Sequence, residues 1–413
     1  MATPQVYWAL IRNNADFRRL YLARLISFAG DWFLIIPLLG LVYEASGSPL
    51  AAAAVLAVQA IPALLLAPFT GVAADRFDRK KILVVSDVAR AALALSLLAV
   101  DAVSGIWFPL VVIALEGAGA AFFYAASGGA LPNVVHDDEL AAANVLMSSA
   151  WGAMLALGAA LGGLFAAAFS RDAAFVVNAA SFLVSAVLVA RIGRRLQEPV
   201  RAAAVGFVES TRDALRYAVG HGQVAALLTS KAGHALTSGG AVGLFAVVSF
   251  ALFEAGDGGT GVLFGARGVG NLVGPILAFR LVGSSNRRIY ESIGYAMALW
   301  GVAYVAVGFA PGLALAAVAI CVGHMGGGTQ FAFSTYGLQE LSPDQIRGRV
   351  FALDFGLDAL AIAVSALIVG ALAEAVPVRT LIIALGGVAL VFGLGWSRLT
   401  KPLWAGADAG AEQ

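Results

Sequence analysis

Five ionisable residues interrupt long apolar stretches of this sequence: Arg24, Asp31, Glu116, Lys231 and His234. A charge at the centre of a bilayer costs about 2.5–3.5 kcal/mol on insertion scales, so charged residues persist there when they face a cavity or one another. A carboxylate in such a place can bind and release a proton, and a base can hold an anionic group. These positions are therefore the candidates for coupling protons or substrate.

Asp31 and Glu116 lie deepest in their apolar stretches. At 1.5 Å per residue, Asp31 is about 18 Å into the first stretch and Glu116 is about 12 Å from the start of the fourth. We expect both carboxylates to face a cavity. Arg24 precedes Asp31 by two helical turns on a nearby face, so it is the predicted compensating base. The sequence leaves the roles of proton carrier and substrate orientation open to either acid.

Six further charged residues are predicted to form structural charge networks: Asp87, Arg90, Arg347, Arg349, Asp354 and Asp358. Asp87 and Arg90 are three residues apart, a spacing that favours a mutually neutralising pair on one helix. We expect this pair to contact the charged loop that precedes it. Asp354 and Asp358 share one helix face at a four-residue spacing. Asp354 lies near a helix end, where we expect it to cap the helix or to contact the same loop.

Composition indicates the elements that position these residues. The chain has 413 residues, of which 60% are apolar and 12% are charged, with a net charge of +1. A soluble domain is about 45–50% apolar, with glycine included, and about 25% charged. So few charges cannot cover so much apolar surface in water. The composition therefore excludes a soluble enzyme, a disordered chain and a nucleic-acid-binding protein, and it predicts a multi-pass membrane protein.

Twelve apolar runs predict twelve transmembrane helices, because about 20 apolar residues cross the hydrocarbon core of a bilayer. The predicted fold class is an all-α membrane protein with two pseudo-symmetric six-helix bundles. The predicted helices lie at about 20–43, 50–73, 82–102, 108–131, 141–168, 173–191, 224–253, 261–283, 289–310, 313–336, 350–373 and 379–396.

A weak internal repeat supports the two bundles. At an offset of 207 residues, Arg24 aligns with Lys231 and Pro68 aligns with Pro275. Repeated halves in parallel orientation are typical of transporters. A charged face and an apolar face predict an amphipathic helix at 206–219, lying on the membrane surface or on a bundle. The predicted domains are a first bundle at 1–191, a linker at 192–223, and a second bundle with a short tail at 224–413.

The distribution of basic residues predicts the orientation. With both termini in the cytoplasm, twenty of the 26 Lys and Arg residues fall on the cytoplasmic side, and the outer loops hold only Arg171 and Arg379. Basic residues accumulate in cytoplasmic loops of membrane proteins. We therefore expect both termini to be cytoplasmic.

The loop between the second and third predicted helices reads GVAADRFDRKK and contains the gating candidates: Gly71, Asp75, Arg76, Arg79 and Lys80. Gly71 is expected to let its helix pack closely against a neighbour, and Asp75 to accept hydrogen bonds from a helix N-terminus or an arginine. The segment resembles the signature loop of the major facilitator superfamily. The resemblance implies that Asp75 stabilises one of two alternating conformations. The corresponding segment of the second half, RLVGSSNRR, has Val282 in the place of Asp75, which makes any such contact asymmetric.

Four other segments resemble bacterial exporters of that superfamily that are similar to enterobactin and macrolide efflux carriers: LARLISFAGDWF, GALPNVVHDDELAAAN, FVVNAASFLVSA and SPDQIRGRVFAL. The resemblance extends from about Phe17 to Trp396. The segment LGAALGG, which contains Gly158 and Gly162, is similar to the antiporter motif of drug exporters, but Ala159 replaces its usual proline. A stripe of small residues for helix packing is the competing interpretation.

The resemblance implies a secondary transporter of the bacterial cytoplasmic membrane that exports a small amphipathic molecule, a drug or a siderophore, by proton antiport. The expected partners are the lipid bilayer and the substrate, with no nucleic acid, and the expected state is a monomer. We expect no cofactor, no metal and no catalytic residue, with the proton gradient as the energy source. Several aromatic residues fit an amphipathic ligand and fit core packing equally well: Trp32, Phe122, Phe123, Tyr124, Phe331 and Phe333.

Three alternatives remain open at this point. The same fold could import its solute or move a lysolipid between leaflets. A membrane-embedded enzyme is a second possibility, although the four histidines fall on separate segments. A receptor or scaffold is the third, and it would not need charges in the middle of the membrane.

Overall fold

The computed structural model describes residues 4–102, 105–136, 139–197, 207–283 and 285–405. Within these ranges the chain forms fourteen α-helices of ten or more residues and no β-strand. The helices of the N-terminal half are α1 (Pro4–Asn13), α2 (Ala15–Ser46), α3 (Pro49–Arg76), α4 (Arg79–Ser96), α5 (Trp107–Val134), α6 (Leu140–Ala168) and α7 (Arg171–Ala190). Those that follow are α8 (Phe207–Gly220), α9 (Gly222–Gly243), α10 (Gly256–Val282), α11 (Asn286–Phe309), α12 (Leu313–Leu341), α13 (Asp344–Leu372) and α14 (Val378–Thr400).

Eleven helical segments in the described ranges are long and apolar enough to cross a membrane. The twelfth long helix is α6, whose apolar part, Ala153–Ala168, is shorter than the others. The all-α membrane fold predicted from the sequence is therefore confirmed. The short helix α1, which precedes the first long helix, was not predicted.

The chain divides into two compact units. The first unit comprises Met1–Gly47, Val58–Ala204 and Gly256–Gly261, and the second comprises Ser48–Ala57, Val205–Ala255 and Val262–Gln413. Six parts of the predicted domains lie outside the described residues: positions 1–3, 103–104 and 137–138 of the first bundle, 198–206 of the linker, and 284 and 406–413 of the second bundle and its tail.

In the first unit, α2 packs against α6 and α7, and α4 packs against α5 and α7. A polar side chain caps the start of three of these helices, and each accepts hydrogen bonds from backbone N–H groups of the first turn: Asn14 for α2, Asp78 for α4 and Ser170 for α7. Such caps satisfy donors that have no partner inside the helix. A buried apolar core that includes Phe17 and Phe123 lies between the helices.

In the second unit, α9 packs against α13, and α11 packs against α12 and α14. The core includes Ile293, Leu338 and Trp396. Beyond α9 the chain continues as a helical piece, Phe245–Val247, and a π-helical turn, Val248–Leu252. The predicted seventh membrane helix is therefore interrupted near its end.

The predicted amphipathic helix corresponds to α8, one residue later than expected, and position 206 is outside the described residues. It buries Ala214 and Ala218, while Leu215 and Val219 are exposed. Its charged side is attached to α13, because Arg349 Nη1 donates to Asp213 Oδ2 at 2.5 Å. The small alanines, rather than the larger apolar residues, therefore form the buried face of α8.

Candidate functional site

A buried charge cluster in the first unit is centred on Arg90 of α4. Arg90 Nε donates to Glu116 Oε2 at 3.0 Å, and Nη1 donates to Ser27 Oγ at 2.9 Å. Arg90 Nη2 donates to Asp31 Oδ1, and Nη1 lies 3.6 Å from Asp87 Oδ1. Ser27 Oγ in turn donates to Asp87 Oδ1 at 3.3 Å. Helices α2, α4 and α5 thus bring three carboxyl groups to one guanidinium group.

This cluster, hereafter the Arg90 cluster, is shielded from solvent. Arg90 and Asp87 have no exposed surface, and Glu116 is 3% and Asp31 is 8% exposed. The ring of Phe182 lies 4.0 Å from Arg90 Cζ, close enough for a cation–π contact. Glu116 Oε1 has no hydrogen-bond partner among the described residues. One base therefore compensates several acids, and its position is fixed by contacts on all sides.

The expected pairing of Asp31 with Arg24 differs from the observed one. The Arg24 guanidinium lies over the ring of Phe28, with Cζ 5.1 Å from the ring centroid. Seven residues separate Arg24 from Asp31, a rise of about 10.5 Å along the helix, whereas direct contacts on a helix form at three or four residues. Arg90 from a different helix occupies the place predicted for Arg24. The Asp87–Arg90 pair is accordingly part of the Arg90 cluster and not a separate pair attached to the loop.

A pocket of about 170 Å³ lies beside the cluster within the first unit. Tyr124 OH donates to Asp31 Oδ2, so a carboxylate and a phenol face the pocket together. The Gln59 amide is the third polar group, and Gly117, Ala120 and Ala121 form a wall of small side chains. Aromatic and aliphatic side chains complete the lining: Phe28, Trp32 and Ile35.

Two members of this site were not singled out from the sequence. Ser27 lies one helical turn before Asp31, and Gln59 is the single amide side chain inside the apolar run of α3. A polar residue within an apolar run is the signal that could have identified both. Of the aromatic residues considered, Trp32 and Tyr124 line the pocket, and Phe123 is fully buried in the core.

The signature loop is held within the first unit mainly by Arg79. Its guanidinium donates to the carbonyl oxygens of Ala74 at 2.8 Å and Gly129 at 2.5 Å. Asp75 Oδ1 lies 3.4 Å from Arg79 Nη2, and the Asp75 side chain is 59% exposed. Lys80 Nζ donates to the carbonyl oxygen of Ile192 at 2.8 Å. Arg79 and Lys80 therefore bind backbone carbonyls, and the Asp75 side chain remains accessible.

Gly71 and Arg76 have surroundings different from those of Arg79. Both are exposed, and a Cβ placed on Gly71 would meet no atom within 4 Å beyond the backbone of its own helix, among the described residues. The expectation that Gly71 permits close helix packing is therefore wrong for this structure, because the residue faces open space. Arg76 lies in the last turn of α3, where a positive charge interacts favourably with the helix dipole.

A second buried ion pair lies in the second unit. Lys231 Nζ is 2.5 Å from Asp354 Oδ2 and 2.8 Å from Thr335 Oγ1, and both charged residues are almost fully buried. The ring of Phe331 lies 4.2 Å from the ammonium group. Asp358, one turn further along α13, is within electrostatic range of Lys231. Asp354 therefore compensates a buried lysine, and the expected cap or loop contact is not its role in the described structure.

His234 follows Lys231 by one turn of α9 but contacts an aromatic layer. Its ring meets Trp300 edge-on with centroids 5.3 Å apart, and Trp300 stacks on Tyr304 at 3.8 Å. Tyr304 OH and His324 Nε2 are 2.9 Å apart. His234 Nδ1 has no hydrogen-bond partner among the described residues.

Arg347 and Arg349 lie apart from the Arg90 cluster and from the Lys231–Asp354 ion pair. Arg347 Nε donates to the carbonyl oxygen of Ser342 at 3.1 Å, near the start of α13. Arg349 holds Asp213 of α8, as described above. The six residues predicted to form structural networks thus occupy three separate places in the described structure.

Comparison with known proteins identifies relatives along almost the whole chain. A family model described as transmembrane secretion effector matches residues 6–409. YfiS of Bacillus subtilis (strain 168), an uncharacterised MFS-type transporter, is 32% identical over 181 residues, 44% of this chain. That match spans 43% of the length of YfiS. BacE of Bacillus subtilis, a protein named as a bacilysin exporter, is 27% identical over 390 residues, 92% of this chain and 94% of BacE.

A solved structure of the peptide transporter POT has the same overall architecture. The two chains superpose with a TM-score of 0.74 at 12% identity, over 94% of each chain. At so low an identity the similarity concerns the fold alone. The helix arrangement is therefore that of the major facilitator fold.

Proposed function

This chain belongs to the transmembrane secretion effector family of the major facilitator superfamily, and we propose that it exports a small amphipathic molecule in exchange for protons. A drug-like compound or a siderophore is the proposed class of substrate. The proposed outward direction is supported by the similarity to BacE, which is named as an exporter. Its relatives are transporters, and transport rather than catalysis is the activity proposed.

The observation that carries this proposal is the position of Asp31 between the pocket and Arg90. One face of Asp31 lines the pocket, and the other pairs with the guanidinium that also holds Glu116. A proton on Asp31 or on Glu116 weakens the ion pair between that acid and Arg90. It thereby favours the ion pair between Arg90 and the other acid. Proton binding at the cluster and ligand binding in the pocket therefore act on the same side chain, which is a coupling between two binding events.

Alternating access by two six-helix bundles, at 1–191 and 224–413 with a linker at 192–223, is the proposed transport cycle. Asp75 and the basic residues of its loop are proposed to stabilise one of the two conformations. Lys231 and Asp354, with Asp358 and His234 nearby, are proposed as the corresponding charged centre of the second half.

The proposed setting is a bacterial cytoplasmic membrane with both termini in the cytoplasm. Support comes from the bacterial relatives and from the twenty Lys and Arg residues that this orientation places on the cytoplasmic side. The protein is proposed to act as a monomer, with the lipid bilayer and the substrate as its partners, and without nucleic acid or cofactor.

Two measurements in sequence test the function. A thermal-shift screen of siderophores, macrolides, dyes and lysolipids selects a ligand, and a proteoliposome assay then measures its flux with and without a pH gradient. Uphill movement of the ligand against an inward proton flow supports antiport. Movement with the protons indicates a symporter, transfer of a lysolipid between leaflets indicates a flippase, and flux without pH dependence rules out proton coupling.

A further inference from the structure

We infer that the substrate carries one basic nitrogen, which binds at Asp31 in place of a proton, so that one monovalent organic cation is exchanged for one proton. The inference rests on the proposed function. It adds the chemical class of the substrate and the stoichiometry of exchange.

The charged groups in and next to the Arg90 cluster do not balance. The cluster contains three carboxyl groups, those of Asp31, Asp87 and Glu116, and the guanidinium of Arg90. A second guanidinium, that of Arg24, lies over the ring of Phe28, which lines the pocket. With every group ionised, three negative charges face two positive charges. One negative charge is in excess.

The other helices of the first unit add no compensating charge at this depth. No ionisable residue occurs in the sequence of α6, and the parts of α3 and α7 at the depth of the cluster have none either. The groups they contribute are neutral, namely Gln59 of α3 and Phe182 of α7. An uncompensated charge is expensive in a site from which water is excluded. The site is therefore most stable with one further positive charge, either a proton or a bound cation.

Asp31 is the one carboxyl group among the three that lines the pocket. A protonated amine in the pocket would pair with the Asp31 carboxylate, beside the Tyr124 hydroxyl that donates to it. If the site already holds a proton, the bound amine creates an excess positive charge. The proton must therefore leave when the amine binds. A neutral ligand leaves the excess charge to the proton, and an anionic ligand adds a second uncompensated charge. Only a cation competes directly with the proton.

The rest of the pocket suits an amine attached to an apolar ring. The rings of Trp32 and Phe28 line the pocket, and aromatic rings pack against apolar groups. Ala120 and Ala121 line the pocket with small side chains, which leaves space for a flat ring. A volume of about 170 Å³ accommodates a fused aromatic ring with a short aminoalkyl chain.

The exchange balances without any covalent change. On the cytoplasmic side the ammonium group of the substrate pairs with Asp31, and the carboxyl proton passes to that side. On the outer side a proton binds the site and the cation leaves. One positive charge crosses in each direction, so the transport step moves no net charge.

The test uses the full-length protein in lipid nanodiscs and three probes with the same ring: tryptamine, a cation; tryptophol, a neutral alcohol; and indole-3-acetate, an anion. Calorimetric titrations in two buffers of different ionisation enthalpy, across a pH series, give the affinity and the number of protons released. Tryptamine forms its hydrogen bond with a carboxylate, whereas tryptophol meets a carboxyl group that keeps its proton. Hydrogen bonds to charged groups are the stronger ones, so we expect tryptamine to bind about ten-fold or more tightly than tryptophol. We expect indole-3-acetate to bind most weakly, and proton release to approach one per tryptamine at low pH.

Asp31→Asn should remove both the preference for tryptamine and the proton release. Asp172→Asn, an exposed carboxylate at the start of α7, is the matched control and should change neither. If Asp31→Asn does not fold, the three probes on the unmodified protein still test the charge of the ligand and the release of a proton. Equal or tighter binding of tryptophol or indole-3-acetate, or no binding of tryptamine, overturns the cationic class. Tryptamine binding without proton release overturns the exchange. The proposed function fails separately, when no screened ligand shows flux driven by a pH gradient in proteoliposomes.

Discussion

Arg90 Nε and Glu116 Oε2 are 3.0 Å apart and form a buried ion pair between α4 and α5. The same guanidinium contacts Asp31 of α2, so one side chain holds both acids that the sequence places deep in the membrane. Arg90 therefore links three helices, and under the proposed function it also links the two acids that are candidates for proton binding. Its removal should therefore affect stability and coupling together.

Arg90→Met should be strongly destabilising, because it leaves three carboxyl groups without their central base. Removal of one partner from a buried ion pair costs about 3–5 kcal/mol. Protonated acids need no counter-charge, so the loss of stability should become smaller as the pH falls. Thermal unfolding in detergent at several pH values measures this dependence.

The double variant Arg90→Met/Glu116→Gln is the control for that interpretation. It removes one acid together with the base and should recover part of the lost stability. Two outcomes would show that the cluster does not depend on charge compensation by Arg90. One is that Arg90→Met unfolds at the temperature of the unmodified protein. The other is that the double variant loses as much stability as Arg90→Met and Glu116→Gln lose together.

Lys231→Met tests the corresponding pair of the second unit. The substitution should also cost about 3–5 kcal/mol, because it leaves Asp354 buried without a base. Lys231→Met/Asp354→Asn removes both charges and should be more stable than Lys231→Met alone. Chemical denaturation of the three proteins measures the difference. A double variant less stable than the single one would contradict compensation between these two residues.

How far the sequence predicts this site depends on the distance between partners along the chain. The three-residue spacing correctly placed Asp87 next to Arg90, because a helix brings such positions together. The contact between Arg90 and Asp31 joins positions 59 residues apart. No local pattern encodes it, and the nearest base in sequence, Arg24, was predicted in its place.

The helices themselves were easier to predict than their contacts. Apolar runs and charged loops are local properties, and they placed the twelve long helices of the fold. The pair Lys231–Asp354 was not predicted, because Lys231 was selected as a buried base and Asp354 as a residue that caps a helix end or contacts the signature loop. Their pairing depends on the packing of α9 against α13, which a single sequence does not specify.

Asp75→Asn should alter conformation with little effect on stability. The Asp75 side chain is mostly exposed, and exposed ion pairs contribute about 0–1 kcal/mol. If Asp75 stabilises one transport conformation, the amide should favour the inward-open state and slow transport. A cysteine introduced near the start of α13, with Cys321 replaced by alanine, should then be labelled faster from the cytoplasmic side. An unchanged labelling rate would argue against a gating role for Asp75.

Arg79→Ala is the comparison for that experiment. Arg79 donates to the carbonyl oxygens of Ala74 and Gly129, so its loss should lower the unfolding temperature. A lower unfolding temperature in Asp75→Asn as well would indicate a structural role for the aspartate.

Gly162→Ala tests whether the glycines of α6 serve helix packing. A Cβ placed on Gly162 would lie 2.6 Å from the Cα of Phe33 on α2, so the helices would have to move apart. Overpacking of this kind costs about 1–3 kcal/mol. Gly71→Ala is the matched control, because a Cβ there meets open space and alanine favours a helix by about 0.5–1 kcal/mol. The unfolding temperature should fall in Gly162→Ala and rise in Gly71→Ala, relative to the unmodified protein.

Asp31→Asn should abolish uphill transport driven by a pH gradient and spare downhill exchange at ligand concentrations high enough to offset weaker binding. The substitution keeps the shape of the side chain but removes the group that binds the proton beside the pocket. Glu116→Gln is the comparison, because that acid shares Arg90 but does not line the pocket. Proteoliposome flux of a ligand from the screen, with and without a pH gradient, measures both modes. Wild-type accumulation by Asp31→Asn would move the proton site to Glu116 or to the acids of α13. Retained pH dependence in both single variants and in the double variant would show that the carrier is not coupled to protons through this cluster.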